Sequence, residues 1–369
     1  MEKNKENSIY LPGLNGLRAI AALSVVIAHI SQDGIADFGL SLITELPMAG
    51  FGVTLFFVIS GFLITFLLIK ELKKTNTVSI GKFYLRRVFR IWPIYYLFIF
   101  ICFVVFQLAE EQQPLSNSQM WWYIFFAANI PFIFQNGILI LVHYWSIGVE
   151  EQFYLFWPGL VKLSKNKLII TATILLVSFL ILKLVFWYFL GNQSYLYRFI
   201  SVTRFHCMMI GAVGAILYTN KSIIINILQN KIVQFISWVL FLTMGIGLLY
   251  IPAVVSHEFI AVASLSMIVG QISTKNRIFS LENYFFDFIG KISYGIYVIH
   301  PLIVFLLSKF YKHLDIYIPV KYFLVYTSVI GLTILFAWIS YKYYESPFLK
   351  LKGKFTIVKS SNSMRGEIK

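Results

Sequence analysis

Residues 11–30 read LPGLNGLRAIAALSVVIAHI, an apolar stretch long enough to cross a bilayer core of roughly 30 Å as a helix. Two ionisable side chains interrupt it, Arg18 and His29. An arginine at bilayer depth costs roughly 2.5 to 3.5 kcal/mol on insertion scales, so lipid disfavours it unless it faces protein or a wet cavity. Eleven residues at 100° each come to about 1100°, some 20° past three turns, so both side chains leave nearly the same helix face, roughly 16 Å apart along the axis. One reading is structural: Arg18 snorkels to the headgroups and a neighbouring helix satisfies His29. The other is functional: one face carries a fixed cation near one membrane surface and a proton-exchanging imidazole near the other.

The rest of the chain repeats the apolar theme. Of 369 residues 59% are hydrophobic and 13% charged, with mean hydropathy +0.77. A soluble domain is excluded, and the expectation is an all-α polytopic membrane protein. Ten spans are expected, at 11–31, 49–70, 91–109, 141–162, 168–190, 203–219, 232–251, 259–273, 292–308 and 322–343. A further stretch, MWWYIFFAANIPFIFQ at 120–135, reads as a re-entrant or interfacial segment, its Trp and Tyr suited to the headgroup layer. No Pro/Gly/Ser linker appears, so residues 1–349 form one membrane domain and 350–369 a basic cytoplasmic tail. The N-terminus shows no small-residue cleavage site, and the first helix is expected to be retained.

The net charge of +15 follows the positive-inside pattern rather than a nucleic-acid footprint. Residues 70–90 hold seven Lys and Arg against Glu71 alone, whereas the segment with Asp33, Asp37 and Glu45 and the segment 110–119 carry no base. Both termini are therefore expected in the cytoplasm. Cys102 and Cys207 lie in apolar helices and suggest neither a disulfide framework nor a metal site. No Gly-rich phosphate loop, HExxH or Cys/His metal spacing occurs, and no internal repeat of the kind transporters use is visible.

Other polar residues sit where lipid would exclude them. In the fourth span Ser146 and Glu150 are i,i+4 on one face, while Glu151 is turned 100° away. Either Glu could pair with Arg18 or Arg204 to join helices, or serve chemistry. Arg87 and Arg90 share a face at the cytoplasmic mouth of the third span, placed for an anionic ligand, for anionic lipid, or simply for topology. Gly50, Gly52, Gly61 and Ser60 suit close helix packing with an interhelical hydrogen bond. Arg204 stands at a span end, where arginines commonly anchor, and His300 precedes Pro301, whose missing N–H frees a carbonyl the imidazole could take.

Five segments occur in order: LPGLNGLRAIAALSVVIAHI, GFGVTLFFVISGFLIT, FYLRRVFRIWPIYY, WSIGVEEQFYLFWP and ISYGIYVIHPLI. Over about residues 10–348 the chain resembles the membrane-bound acyltransferase-three family, integral membrane O-acyltransferases of bacterial surface glycans. The family's Arg-x10-His pattern falls on Arg18 and His29, its Arg-x2-Arg on Arg87 and Arg90, and its Ser-x3-Glu on Ser146 and Glu150.

The resemblance implies about ten helices around a central channel-like active site in the bacterial cytoplasmic membrane. It implies an O-acetyltransferase with cytosolic acetyl-CoA or another acyl-CoA as donor substrate, no permanently bound cofactor, and an extracytoplasmic polysaccharide or other hydroxyl acceptor. On that pattern Arg86, Arg87 and Arg90 hold the donor's phosphates and His29 acts as general base or acyl acceptor. Glu150 orients His29, Arg18 or a serine hydroxyl stabilises the oxyanion, and Ser60, Ser146, Glu151, Arg204 and His300 support substrate or site. Membrane lipid is a partner and nucleic acid is not.

Two departures stand out. Thr54 occupies a position that is acidic in many members. Some members also carry a C-terminal extracytoplasmic esterase-like domain. Here the expectation is that a separate extracytoplasmic transferase or an oligomeric partner supplies its contribution, or that none is needed. The competing classes are a transporter or flippase of a lipid-linked or secreted saccharide, and a non-catalytic assembly subunit.

Overall fold

A computed structural model describes residues 8–31, 38, 40, 46–108, 117–163 and 165–361. Fifteen helices of this set carry the architecture: α1 Leu14–His29, α2 Met48–Thr75, α3 Ile80–Leu108, α4 Asn117–Ile124, α5 Asn129–Ile133, α6 Tyr144–Val161, α7 Lys165–Leu190, α8 Tyr195–Thr203, α9 Phe205–Thr219, α10 Ile223–Leu228, α11 Lys231–Gly245, α12 Ala253–Ile272, α13 Tyr284–Lys312, α14 Ile318–Ile339 and α15 Ser346–Lys354. A π-helical turn, Ser340–Glu345, joins α14 to α15. The only pairing of strands among the described residues is three residues long, Ser8–Tyr10 (β1) parallel to Lys359–Ser361 (β2). Asp33, Asp37, Glu45, residues 109–116 and residues 362–369 of the tail lie outside the described residues, and the expected boundary at 349/350 falls within α15.

The chain is a multi-pass membrane protein. Among the described residues seven helical stretches are long and apolar enough to cross a bilayer. Ten spans are not reached on that criterion, for local reasons. α1 and α11 have 16 and 15 residues, roughly 24 and 22 Å at 1.5 Å per residue. α6 has 18 residues, but Glu150, Glu151 and Gln152 dilute its apolar run. The expected re-entrant segment is broken into α4 and α5, eight and five residues long. Neither can cross a bilayer by itself. Tyr95 and Tyr96 of α3 donate to the carbonyls of Tyr123 and Ile124, and Gln152 of α6 donates to that of Phe126.

α2 is the central helix. It packs against α1, α6, α9, α11 and α12, and most of its residues are buried. Its approach to α9 is set by two glycines: a Cβ on Gly61 would collide with the Met208 carbonyl, and one on Gly211 with the Val58 carbonyl. Small residues let backbones meet in this way where lipid supplies no hydrophobic drive between helices. α1 lies between α2 and α13, which brings its polar face against both. α7 is apolar over its outer face, where large side chains such as Ile174, Tyr188 and Phe189 are exposed. So broad an apolar exterior is what a lipid solvent requires.

Candidate active site

Five helices each contribute one stripe to a cavity that is partly open to solvent. α1 gives Arg18, α2 gives Phe56 and Ser60, and α3 gives Arg87 and Arg90. α6 gives Ser146, Glu150 and Tyr154, while α13 gives Ser293, Tyr294 and Tyr297. The spacings are those of single helix faces: Ser146, Glu150 and Tyr154 follow one another at i,i+4.

The cavity is polar along one wall. The Ser60 hydroxyl donates to Glu150 Oε1 at 2.8 Å. The Tyr154 hydroxyl lies 3.0 Å from Ser60 Oγ and 3.3 Å from Glu150 Oε2. Arg87 stacks over the rings of Phe83 and Tyr154, 5.8 and 5.6 Å from their centroids. Its Nε is buried without a hydrogen-bond partner among the described residues. Arg18 lies within electrostatic range of Arg87, Arg90, Tyr154 and Glu150. Three guanidinium groups thus converge on one cavity, two of them, Arg18 and Arg87, near a carboxylate that is already held by hydroxyls.

At the other end Ser146 Oγ and Tyr297 OH are 2.6 Å apart, and both hydroxyls lie within bonding distance of the His143 carbonyl. The Tyr297 ring also meets the rings of His143 and His300, with centroids 5.5 and 5.9 Å apart. Behind it His29 Nδ1 and His300 Nε2 are 2.9 Å apart. His300 Nδ1 lies 3.2 Å from the Ile296 carbonyl, which can only accept. A neutral His300 therefore donates from Nδ1 and accepts at Nε2, so that His29 donates from Nδ1 and carries its lone pair on Nε2.

Arg18, Ser60, Arg87, Arg90, Ser146 and Glu150 line one cavity, while His29 and His300 stand beyond its Tyr297 wall. Other expectations are revised by the geometry. Glu150 is engaged by Ser60 and Tyr154, and His29 meets His300 rather than Glu150. Arg86 is turned from the cavity: it pairs with Glu71 at 3.0 Å and donates to the Phe355 carbonyl, while Glu71 also accepts from the backbone of Ser79. Glu151 leaves the adjacent face of α6, its Oε1 buried without a hydrogen-bond partner among the described residues. Arg204 terminates α8 in a left-handed conformation, φ 44°. It stacks on Trp145 and donates to the carbonyls of Gly50 and Ser201, which makes it an anchor. His300 bonds the carbonyl of Ile296, one residue before the carbonyl that Pro301 frees.

Tyr154 and Tyr297 carried no mark in the sequence, and His143, at a span end, suggested no role there. The first two continue faces already marked, eight residues from Ser146 and three from His300, and a helical wheel extended by one turn finds them. His206, beside Arg204 in the sequence, belongs to a second buried group whose other members carried no mark: Glu258 Oε1 meets Lys183 Nζ at 2.6 Å and His206 Nε2 at 2.9 Å. Thr54 bonds the imidazole of His257 at 2.9 Å.

The family model described as an acyltransferase domain matches residues 11–342. A provisionally named O-acetyltransferase of Staphylococcus aureus strain COL is 30% identical over 92% of this chain and 58% of its own length. The O-acetyltransferase OatA of Staphylococcus aureus strain NCTC 8325 is 31% identical over 92% of this chain and 57% of its own length. The chain thus spans less than two thirds of these relatives. No solved structure matches it. With a family model covering nearly all of its membrane helices, the chain belongs to the acyltransferase-three family.

Proposed function

We propose that the protein is a transmembrane O-acyltransferase that carries an acyl group, acetyl in the simplest case, from cytosolic acyl-CoA to a hydroxyl of an extracytoplasmic glycan. The observation that carries this reading is one cavity running from Arg18, Arg87 and Arg90 to a tyrosine wall backed by the His29–His300 pair. It sits in a bacterial cytoplasmic membrane with both termini in the cytoplasm. The relatives named O-acetyltransferase and the basic residues near α3 support that placement.

Arg87 and Arg90 hold phosphate through charge-assisted hydrogen bonds, and the orphaned Nε of Arg87 is a donor awaiting such an acceptor. The pantetheine arm extends along the Ser60–Glu150–Tyr154 wall, bringing the thioester to Ser146 and Tyr297. Movement of the Tyr297 side chain opens the way to His29. His29 Nε2 takes the proton of the attacking hydroxyl as its oxygen bonds the thioester carbonyl. The carbon–sulfur bond then breaks, and the proton passes to the departing thiolate, so that the products are an ester and a free thiol. His300 Nε2, accepting from His29 Nδ1, fixes the tautomer and steadies the imidazolium, the role a carboxylate has in a triad. Once Tyr297 has moved, the Ser146 hydroxyl can turn from the His143 carbonyl to donate to the developing oxyanion.

The direct test is thiol release from acetyl-CoA by purified protein given an oligosaccharide acceptor. His29→Ala should melt with the wild type yet lose roughly 10²- to 10⁴-fold in rate, the worth of general-base help. Unchanged release by a folded His29→Ala protein removes the mechanism, and movement of unmodified saccharide without thiol release makes the protein a transporter.

A further inference from the structure

Three lysines, Lys350, Lys352 and Lys354, lie on the tail helix α15, beyond the residues the family model matches. Lys350 and Lys354 are exposed, whereas Lys352 is half-buried. The reason is the path of the helix. At one end the Tyr344 hydroxyl donates to the Pro93 carbonyl of α3. At the other Arg86 donates to the Phe355 carbonyl, and the rings of Phe89 and Phe355 stack at 5.8 Å. Residues 344–355 therefore run antiparallel along α3, and Arg90 and Arg87 fall between the two anchors. Lys352 is three residues from Phe355, on the face turned to α3, within electrostatic range of Arg90, Arg87, Arg18 and Arg86.

The acids facing this group do not match it. Glu71 is taken by Arg86, and Glu150 is held by Ser60 and Tyr154. Glu345 accepts from Ser340 and lies within range of Arg90. Arg90, Arg87 and Arg18 thus face Glu345 and Glu150, an excess of positive charge that a bound anion relieves. Arg18, Arg87 and Arg90 line the cavity, and Lys352 stands outside that lining within electrostatic range of all three. In an acyl-CoA the thioester is deepest when the acyl end enters first, the diphosphate follows, and the 3′-phosphate on the ribose comes last.

We infer that Lys352 is a specificity-determining residue of the donor site, a fourth cation that reads the ribose 3′-phosphate of the acyl-CoA at the cytoplasmic rim. The inference rests on the donor assignment above. Its chemistry is a charge-assisted contact between an ammonium and a phosphate, made by a helix fastened to α3 at both ends.

Calorimetry on the full chain in zwitterionic nanodiscs, comparing CoA with dephospho-CoA, tests it without turnover. Wild type should bind CoA about tenfold more tightly, the worth of one such contact. Lys352→Met should bind both equally, Lys352→Arg should restore the preference, and Lys354→Met should behave as wild type. A wild type that binds both equally, or a Lys352→Met protein that keeps the preference, overturns the inference and leaves the donor assignment standing. Wild type that binds neither overturns the donor assignment and the inference with it. A Lys352 effect that appears only after anionic lipid is added assigns the lysine to a headgroup and also overturns it. Should Lys352→Met not fold, the wild-type preference and its persistence in Lys352→Gln decide the same question.

Discussion

His29 and His300 show how one carbonyl can set the chemistry of a distant nitrogen. The Ile296 carbonyl fixes the proton on His300 Nδ1, and the 2.9 Å contact then leaves the basic lone pair of His29 on Nε2. His300→Gln, whose amide oxygen can still accept from His29 Nδ1, should retain most activity. His300→Phe should lose about tenfold or more without a change in KM for the donor, a split that steady-state kinetics reads directly. Equal rates for the two variants would show that the tautomer is not set through His300. Arg86 makes the opposite case. It is bonded to Glu71, whose side chain is 2% exposed, so Arg86→Met should destabilise the protein by about 3 kcal/mol and leave donor KM within about twofold. A large rise in KM with unchanged stability would return Arg86 to the phosphate site.

At the scale of elements the close meeting of α2 and α9 is the most demanding contact in the core. Gly211→Val drives a side chain into the Val58 carbonyl and should cost about 1–3 kcal/mol or more, since backbone cannot yield as a flexible side chain does. A thermal melt equal to wild type would contradict the packing. Much of this level was legible in the sequence, because a polar residue in an apolar helix announces itself. Arg18, Ser60, Arg87, Arg90, Ser146 and Glu150 were marked by their chemistry and share one cavity. Tyr154 and Tyr297 were not, because 22 tyrosines in an aromatic-rich chain carry no such contrast. Partners from distant segments were also hidden: Glu71 claims Arg86, and His300 rather than Glu150 meets His29. Composition reveals which side chains need partners, and only packing decides which partner each one receives.

Across the whole molecule the polar groups form a path rather than a scatter. Cations stand at the end of the cavity near α15, hydroxyls follow along α2 and α6, and histidines lie beyond Tyr297. The second buried group, Lys183, His206 and Glu258, ties α7, α9 and α12 together away from that cavity. Lys183→Met should therefore lower thermal stability while leaving the rate per folded molecule unchanged, and a loss of rate at constant stability would join this group to the reaction. The path has a direction only if donor and acceptor lie on opposite sides of the membrane. The decisive measurement uses vesicles of known protein orientation, with acetyl-labelled CoA on the side of the arginines and a glycan acceptor on the other. Wild type should release CoA on the donor side and place label on the glycan across the membrane, and His29→Ala should do neither. Label that stays with CoA, or reaches only glycan on the donor side, would contradict transfer across the bilayer.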